Sequence, residues 1–387
     1  MWHSTVEALN CLRYPGVGPL IRNPNIQPSS RSKSGLVVSR FEQVDPINDP
    51  RWGQFLEHHS GASVFHTPGW LQSLHRTYGY EPTVFTTTPE GEPLRDGVVF
   101  CRVKGWFGRP RLVSLPFSDH VEPLVTDHEN LQDILTFVAN GAAQGYWSSV
   151  EIRPAQTIHE AEKAAEFVDG QSFLLHTLDL QPSLANLYQQ LNKDSTRRKI
   201  LKAQRAGLKY DEGRSQHHLE QFFRVCVMTR MRKALPPPPL TWFRNLMECM
   251  GERLKIRIAT TQTGELAGAI LTLQYKSSMV FKYGASDAVF HNLGTMPFLL
   301  WHAIEDAKSC GATQFDFGRS EVDNPGLVRF KEHFGAQRSS FAHKIFPATA
   351  WKPDAHNWHL TMAKRVFAHL PQGALIWAGR LIYPYIG

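Results

Sequence analysis

Cysteine is scarce: five residues in a chain of 387, at positions 11, 101, 226, 249 and 310. No two stand at CxxC or metal-ligand spacing, which excludes a zinc-finger pattern and a disulfide framework. Their scatter fits a reducing cytoplasm. The 18 histidines include no HExxH, and His217–His218 and His356/His359 are isolated pairs, so no metal is expected. Nowhere does the chain offer the roughly 20 apolar residues of a membrane-spanning helix. Its longest apolar stretch, Ala374 to Tyr385, is interrupted by Arg380. That stretch is either a buried terminal helix or an interfacial anchor. The first thirty residues lack the unbroken apolar segment of a signal peptide. Neither GxSxG nor a GxxxxGKS/T loop occurs, which disfavours serine-hydrolase and P-loop chemistry.

What is present is a globular composition, with 42% hydrophobic and 20% charged residues. The length suggests two domains. A net charge of +7 serves solubility, or it marks an anionic partner such as a cofactor phosphate, RNA or an anionic membrane surface. Met1 to Ser34, with four prolines and then SSRSKSG, suggests a flexible extension.

The most organised stretch is Leu254 to Gly335. Alternating apolar and polar residues, with turns at Thr263-Gly264 and Lys276-Ser277, predict a three-stranded antiparallel meander. A turn at Asn292-Leu293-Gly294 leads into a helix with Leu299, Leu300, Ala303, Ile304 and Ala307 on one face. A short strand, Gln314 to Phe317, then enters a polar loop, Arg319 to Asn324. A helix N-terminus beside strand ends suits an anionic ligand. Upstream, strands are expected at Leu36–Val38, Pro82–Thr88, Gly97–Val103, Ser148–Ile152 and Phe173–Leu180. Helices are expected at Pro50–His58, Thr67–Tyr78, Asn130–Ala143, His159–Phe167, Leu184–Ala206, Leu219–Met231, Leu240–Met250 and Trp358–Leu370. The order of helices, meander, helix and strand occurs twice, which suggests two similar folds.

Several residues carry candidate chemistry, each with a plain alternative. Gly294, followed by Thr295, can bring backbone N–H groups close to a pyrophosphate, or can be a loop glycine. The basic helix around Lys193 to Arg205, with Ile200, Leu201 and Ala206 turned inward, is either a solvated face or a phosphate contact. In GLVRFKEHFG, Lys331 can hold an oxyanion beside an aromatic Phe330. Alternatively the lysine is on the surface and the phenylalanine in the core. Asp119 in LPFSDHVEPL can bind an amine, or can be a turn aspartate. Tyr283 in KYGASD can donate a proton, or can pack. Arg230 or Arg232 can bind a carboxylate or phosphate.

The runs GELAGAILTLQY, KYGASD, LGTMPFLLWHAIEDAKSCG, FDFGRS and GLVRFKEHFG resemble the FemABX-like branch of the GNAT acyltransferase superfamily. FHTPGWLQSL, LPFSDHVEPL and DSTRRKILKAQRAG resemble other segments of it. The resemblance spans most of residues 36–345. It implies an α/β (α+β) fold of two tandem GNAT-like domains, each a mixed, mostly antiparallel sheet flanked by helices. The first would cover 35–180, completed by 341–387, and the second 181–340, with 1–34 as an extension. The implied activity moves an acyl or aminoacyl group to an amine on a cell-envelope or polysaccharide precursor. Acyl-CoA (acetyl-CoA) or aminoacyl-tRNA would be the donor, and the chain would be cytoplasmic or peripheral at the inner membrane. Lys331 and Tyr283 become the implied catalytic residues. Gly294, Thr295, Arg319 and Phe330 become donor-binding residues, and Asp119 and Arg230 acceptor-binding ones. The alternatives are a peptidoglycan-bridge transferase and a non-catalytic RNA- or membrane-binding protein. The segment Leu293-Gly294-Thr295-Met296 departs from the superfamily's pyrophosphate loop, which bears on CoA use. No long charged coiled-coil arm is inserted, which removes one implied tRNA contact.

Overall fold

The computed structural model describes residues 41–105, 108–156, 158, 165–350 and 364–387. The expected strand at Leu36–Val38, residues 159–164 of the helix expected at His159–Phe167 and residues 358–363 of the one expected at Trp358–Leu370 lie outside these residues, while 364–367 are helical.

Among the described residues, twelve strands form one mixed sheet. In chain order they are β1 Glu42–Val44, β2 Pro82–Thr86, β3 Val98–Val103, β4 Arg111–Val113, β5 Val150–Ile152, β6 Val168–Asp179, β7 Lys209–Gly213, β8 Leu254–Thr260, β9 Leu266–Tyr275, β10 Ser278–Ser286, β11 Gln314–Glu321 and β12 Gln337–Phe346. Their order across the sheet is β1-β2-β3-β4-β5-β12-β6-β11-β10-β9-β8-β7. The pairing pattern occurs twice. Starting from β1, three antiparallel pairs are followed by the parallel pair β4/β5 and then by antiparallel β12. Starting from β7, three antiparallel pairs are followed by the parallel pair β10/β11 and then by antiparallel β6. β12 and β6 pair antiparallel and join the two halves. The fold is a tandem of mixed, mostly antiparallel sheets flanked by helices.

The helices are α1 Pro50–His58, α2 Pro68–Tyr78, α3 His128–Ala143, α4 Leu184–Gln190, α5 Arg198–Arg205, α6 Gln216–Arg232, α7 Leu240–Met250, α8 Thr295–Ser309, α9 Pro325–Glu332 and α10 Gln372–Ile382. Local chemistry explains their ends. Thr67 caps α2, whose first residue is Pro68, and Gly79 closes it in the left-handed region. Asp127 accepts from two N–H groups at the start of α3, and Leu131, Ile134, Leu135 and Val138 are all buried. The predicted meander is β8–β9–β10.

The basic segment departs from expectation. One helix was expected over Leu184–Ala206, but α4 stops at Gln190 and a π-type turn occupies Lys193–Arg197 before α5. Tertiary bonds interrupt it. The N–H of Asn192 and the hydroxyl of Thr196 both donate to the His333 carbonyl, at 2.8 and 3.1 Å. Ile200 is buried as expected, while Leu201 and Ala206 are exposed because α5 turns its inner face through Ile200 and Ala203.

One core runs beneath both halves. It joins Trp52, Phe65 and Trp70 to Phe222, Trp242 and Phe243 and to the inner residues of β8 and β9. Trp70 of α2 meets Trp242 of α7 edge to face, with centroids 5.3 Å apart. Gly69 permits this crossing, since a Cβ there would come within 2.6 Å of the Cys249 carbonyl oxygen. The opposite sheet face has two separate cores, one under α3 and one under α5, α8 and α9.

Candidate active site

Strands β10 and β11 pair only where Ser278–Val280 meets Gln314–Asp316. Beyond that they part, and a cleft of about 580 Å³ opens between Tyr283–Ala285 on one side and Arg319–Glu321 on the other. Helix α6 closes one flank with Phe222, Thr229 and Arg230.

Two β-bulges aim side chains at this region. In β10, Phe281 pairs with Thr272 and Tyr283 with Leu271, so Lys282 is an extra residue. Phe281 therefore packs in the core under α8, while both Lys282 and Tyr283 turn to the other face. In β11, Asp316 stands opposite Thr177 and Arg319 opposite Leu175, which leaves Phe317 and Gly318 facing the single residue His176. Gly318 adopts φ 70°, a conformation that a glycine reaches without strain. Phe317 is buried in the core, and Asp316 and Arg319 both face the cleft side.

Charges converge where the bulges meet the loop after β4. Lys282 Nζ donates to Asp119 Oδ2 at 2.8 Å, and both side chains are largely buried. The ammonium lies 5.2 Å from the Phe65 ring centroid and 5.8 Å from that of Trp70. Burial would raise the Asp119 pKa, but Lys282 and Arg319 outweigh it and hold the carboxyl below its ordinary value. His120 Nε2 is 3.2 Å from Asp316 Oδ2. Burial opposes protonation of this imidazole, yet the contact with Asp316 wins and its pKa is raised.

Tyr283 accepts a hydrogen bond from Trp242 Nε1 at 3.0 Å. Burial pushes its pKa well up, so the phenol keeps its proton. Lys331 is only 2% exposed. Its ammonium donates to the carbonyls of Gly318 and Arg319, at and beside the β11 bulge, at 2.7 and 2.9 Å. Burial brings its pKa down to about 8, against the opposing pull of Asp119 and Asp316. The plain alternative for GLVRFKEHFG is inverted here. The lysine is buried, and Phe330 is half-buried against Phe334, with centroids 5.4 Å apart.

The structure thus groups five of the sequence-predicted residues. Tyr283, Arg230 and Arg319 line the cleft. Asp119 acts electrostatically on Tyr283, Arg319 and Lys331. Asp119 and Lys331 lie behind the cleft wall and not on it, and Gly294, Thr295 and Phe330 are not part of that wall either. Gly294 starts α8 at φ 82°, and a Cβ on it would lie 2.4 Å from the Lys199 carbonyl oxygen. The missing side chain lets α5 cross the start of α8. Thr295 is buried, and its methyl would touch a Cβ placed on Gly268. Sequence patterning missed Lys282, Asp316, His120, His343 and Glu151. Lys282 lies in KYGASD, directly before Tyr283, but strict alternation places neighbours on opposite faces and gives no sign of a bulge. Among the described residues, no group of three His, Cys, Asp or Glu side chains could hold a metal ion.

Residues 192–332, which carry the meander, both bulges and Lys331, match the acetyltransferase (GNAT) domain family. That segment is a GNAT-type acyltransferase domain. Among solved structures, the fold resembles FemX, with a TM-score of 0.64 and 14% identity over 79% of this chain and 97% of that one. It also resembles L-PGS from Bacillus licheniformis, with a TM-score of 0.53 and 13% identity over 84% and 98%. A tandem GNAT protein from the clavulanic acid biosynthesis pathway matches with a TM-score of 0.50 and 11% identity over 79% and 97%. No curated protein matches the chain. The likeness to FemX and to the tandem GNAT protein is one of fold.

Proposed function

We propose that this protein transfers an acetyl or aminoacyl group to an amine on an anionic cell-envelope or polysaccharide precursor, with the chemistry in the cleft between β10 and β11. One observation carries the reading: inside the GNAT-matching segment, two parallel strands part around a proton-holding Tyr283, and cations line the opening. The amine attacks the acyl carbonyl carbon directly, the carbonyl oxygen becomes an oxyanion, and the donor's sulfur or oxygen leaves. Tyr283 gives the leaving atom its proton and recovers one from the attacking nitrogen. Lys331 has three N–H groups. Two hold the β11 carbonyls, and the third serves the oxyanion. Asp119 fixes Lys282 and so shapes the acceptor side, while Arg230 takes an acceptor anion. Gly294, Thr295 and Phe330 act on the donor side by setting α8 and α9.

Acyl-CoA or aminoacyl-tRNA would be the donor. The exposed row Lys193, Arg198, Lys199, Lys202 and Arg205 favours the second as a path for tRNA phosphates. Exposed Trp377 and Leu381 beside Arg380 on α10 support peripheral contact with an anionic membrane carrying the precursor. The deciding experiment offers purified protein acetyl-CoA or charged tRNA with amine-bearing envelope precursors and weighs the products by mass spectrometry. A mass gain of one acyl unit is expected with one donor. A Lys331→Ala variant with full turnover would sink the oxyanion role.

A further inference from the structure

The cleft is bordered by four cations, Arg230, Lys233, Arg319 and Lys364, and one carboxylate, Glu321. Arg319 differs from the other three because it is clamped. Its guanidinium carbon lies 4.3 Å from the Phe173 ring centroid. Its Nη1 donates to His343 Nε2 at 3.0 Å. The other edge of that imidazole, Nδ1, lies 3.0 Å from Glu151 Oε1. Glu151 in turn accepts from Arg153 Nε at 2.8 Å.

This chain has only one consistent hydrogen placement. Arginine donates and never accepts, so His343 Nε2 must carry the lone pair. The ring hydrogen then sits on Nδ1 and donates to Glu151, which fixes the tautomer. Burial pushes the His343 pKa down to about 4, so the ring is neutral at ordinary pH. The ring also packs against Phe173, tilted by 39° with centroids 4.7 Å apart. Three strands therefore cooperate: β5 supplies Glu151, β12 supplies His343, and β11 supplies Arg319, which reaches across β6. Among the described residues, the remaining N–H groups of Arg319 make no hydrogen bond. They form a flat double donor of the kind that matches a phosphate oxygen pair.

We propose that Glu151 and His343 are positioning residues that hold Arg319 in the cleft as a bidentate receptor for a phosphate group of the substrate. The proposal rests on the acyl-transfer reading only in taking the cleft as the substrate's. Binding is measured without turnover, so either idea can fail alone.

The test is calorimetric titration of the full chain with inorganic pyrophosphate, alongside thermal unfolding of each variant. Wild type binds. His343→Ala weakens binding by about tenfold or more, the effect of losing a charge-assisted hydrogen bond. His343→Gln, whose amide can donate to Glu151 and accept from Arg319, restores most of it. Glu151→Gln weakens it to a similar degree, because an amide there permits the wrong tautomer. This variant and His343→Gln carry the test if His343→Ala does not fold. Displacement of pyrophosphate by CoA assigns the phosphate to the donor, and binding that persists with CoA assigns it to the acceptor; either supports the subsite. Wild type that binds no pyrophosphate overturns the subsite. His343→Ala that binds like wild type, or His343→Gln that binds as weakly as His343→Ala, overturns the positioning role.

Discussion

Lys282 and Asp119 show what a single buried pair does at this site. They lie on different halves of the chain and meet at 2.8 Å inside an aromatic cage. Removing one partner strands the other charge in a poorly solvated place. Asp119→Asn should destabilise the protein by roughly 3–5 kcal/mol, measured by denaturant unfolding. A loss within experimental error would mean that water reaches the pair. Lys331 makes a prediction of the opposite kind, about rate. Its pKa is brought down to about 8 by burial. If its ammonium faces the oxyanion, turnover should decline as pH rises through about 8, since the charged form is lost above its pKa. Lys331→Arg should move that decline to higher pH, because a guanidinium stays charged. A profile flat from pH 7 to pH 9 would remove Lys331 from the chemistry.

Among elements, the bulged strands and the helix crossings do most of the positioning. A regular strand would send Lys282 and Tyr283 to opposite faces, and likewise Asp316 and Arg319. One inserted residue in each strand brings both pairs to the cleft side. This also explains what the sequence disclosed. The meander, α2 with its Thr67 cap and Gly79 stop, and the inward face of α3 follow from period and caps. The bulges do not, because a one-residue insertion looks like ordinary strand. The break after α4 was hidden for a related reason, since bonds to the distant His333 carbonyl create it. Tyr283, Arg230 and Arg319 were legible as candidates, but their ion-paired surroundings depend on contacts between halves. Gly294 was legible as special, though the contact it serves in the structure is the crossing by α5. Gly69 offers the cleanest test of a crossing. Gly69→Ala puts a methyl 2.6 Å from the Cys249 carbonyl oxygen and forces α2 away from α7. Over-packing of this kind should cost about 1–3 kcal/mol, seen as a fall in Tm.

Across the whole molecule, the two halves are bound by one sheet, one shared core and one returning tail. After β12 inserts between β5 and β6, the chain comes back to the first half. Tyr80 donates its hydroxyl hydrogen to the carbonyl of Pro384 at 3.1 Å, and Arg111 Nη2 donates to those of Tyr385 and Gly387, each at 3.1 Å. Helix α10 also rests on the proline run that follows α6, where a Cβ on Gly379 would come within 2.1 Å of the Pro237 carbonyl oxygen. The tail thus touches both halves beside the cleft. Deleting residues 372–387 exposes the partners of Leu375 and Tyr383 and should cost roughly 3–6 kcal/mol in unfolding free energy. Unchanged stability would show that the tail is an attachment and not part of the frame.

The account as a whole turns on where the acyl group sits. The most direct measurement is a crystal structure with a donor bound, using acetyl-CoA in one crystal and an aminoacyl-adenosine, the 3′ end of a charged tRNA, in another. The account predicts that one of them places its acyl carbonyl between Tyr283 and the Phe317–Gly318 bulge, with Arg319 or Arg230 on an anionic group. Both ligands bound with the acyl group outside this cleft, for example beside Gly294, would contradict it.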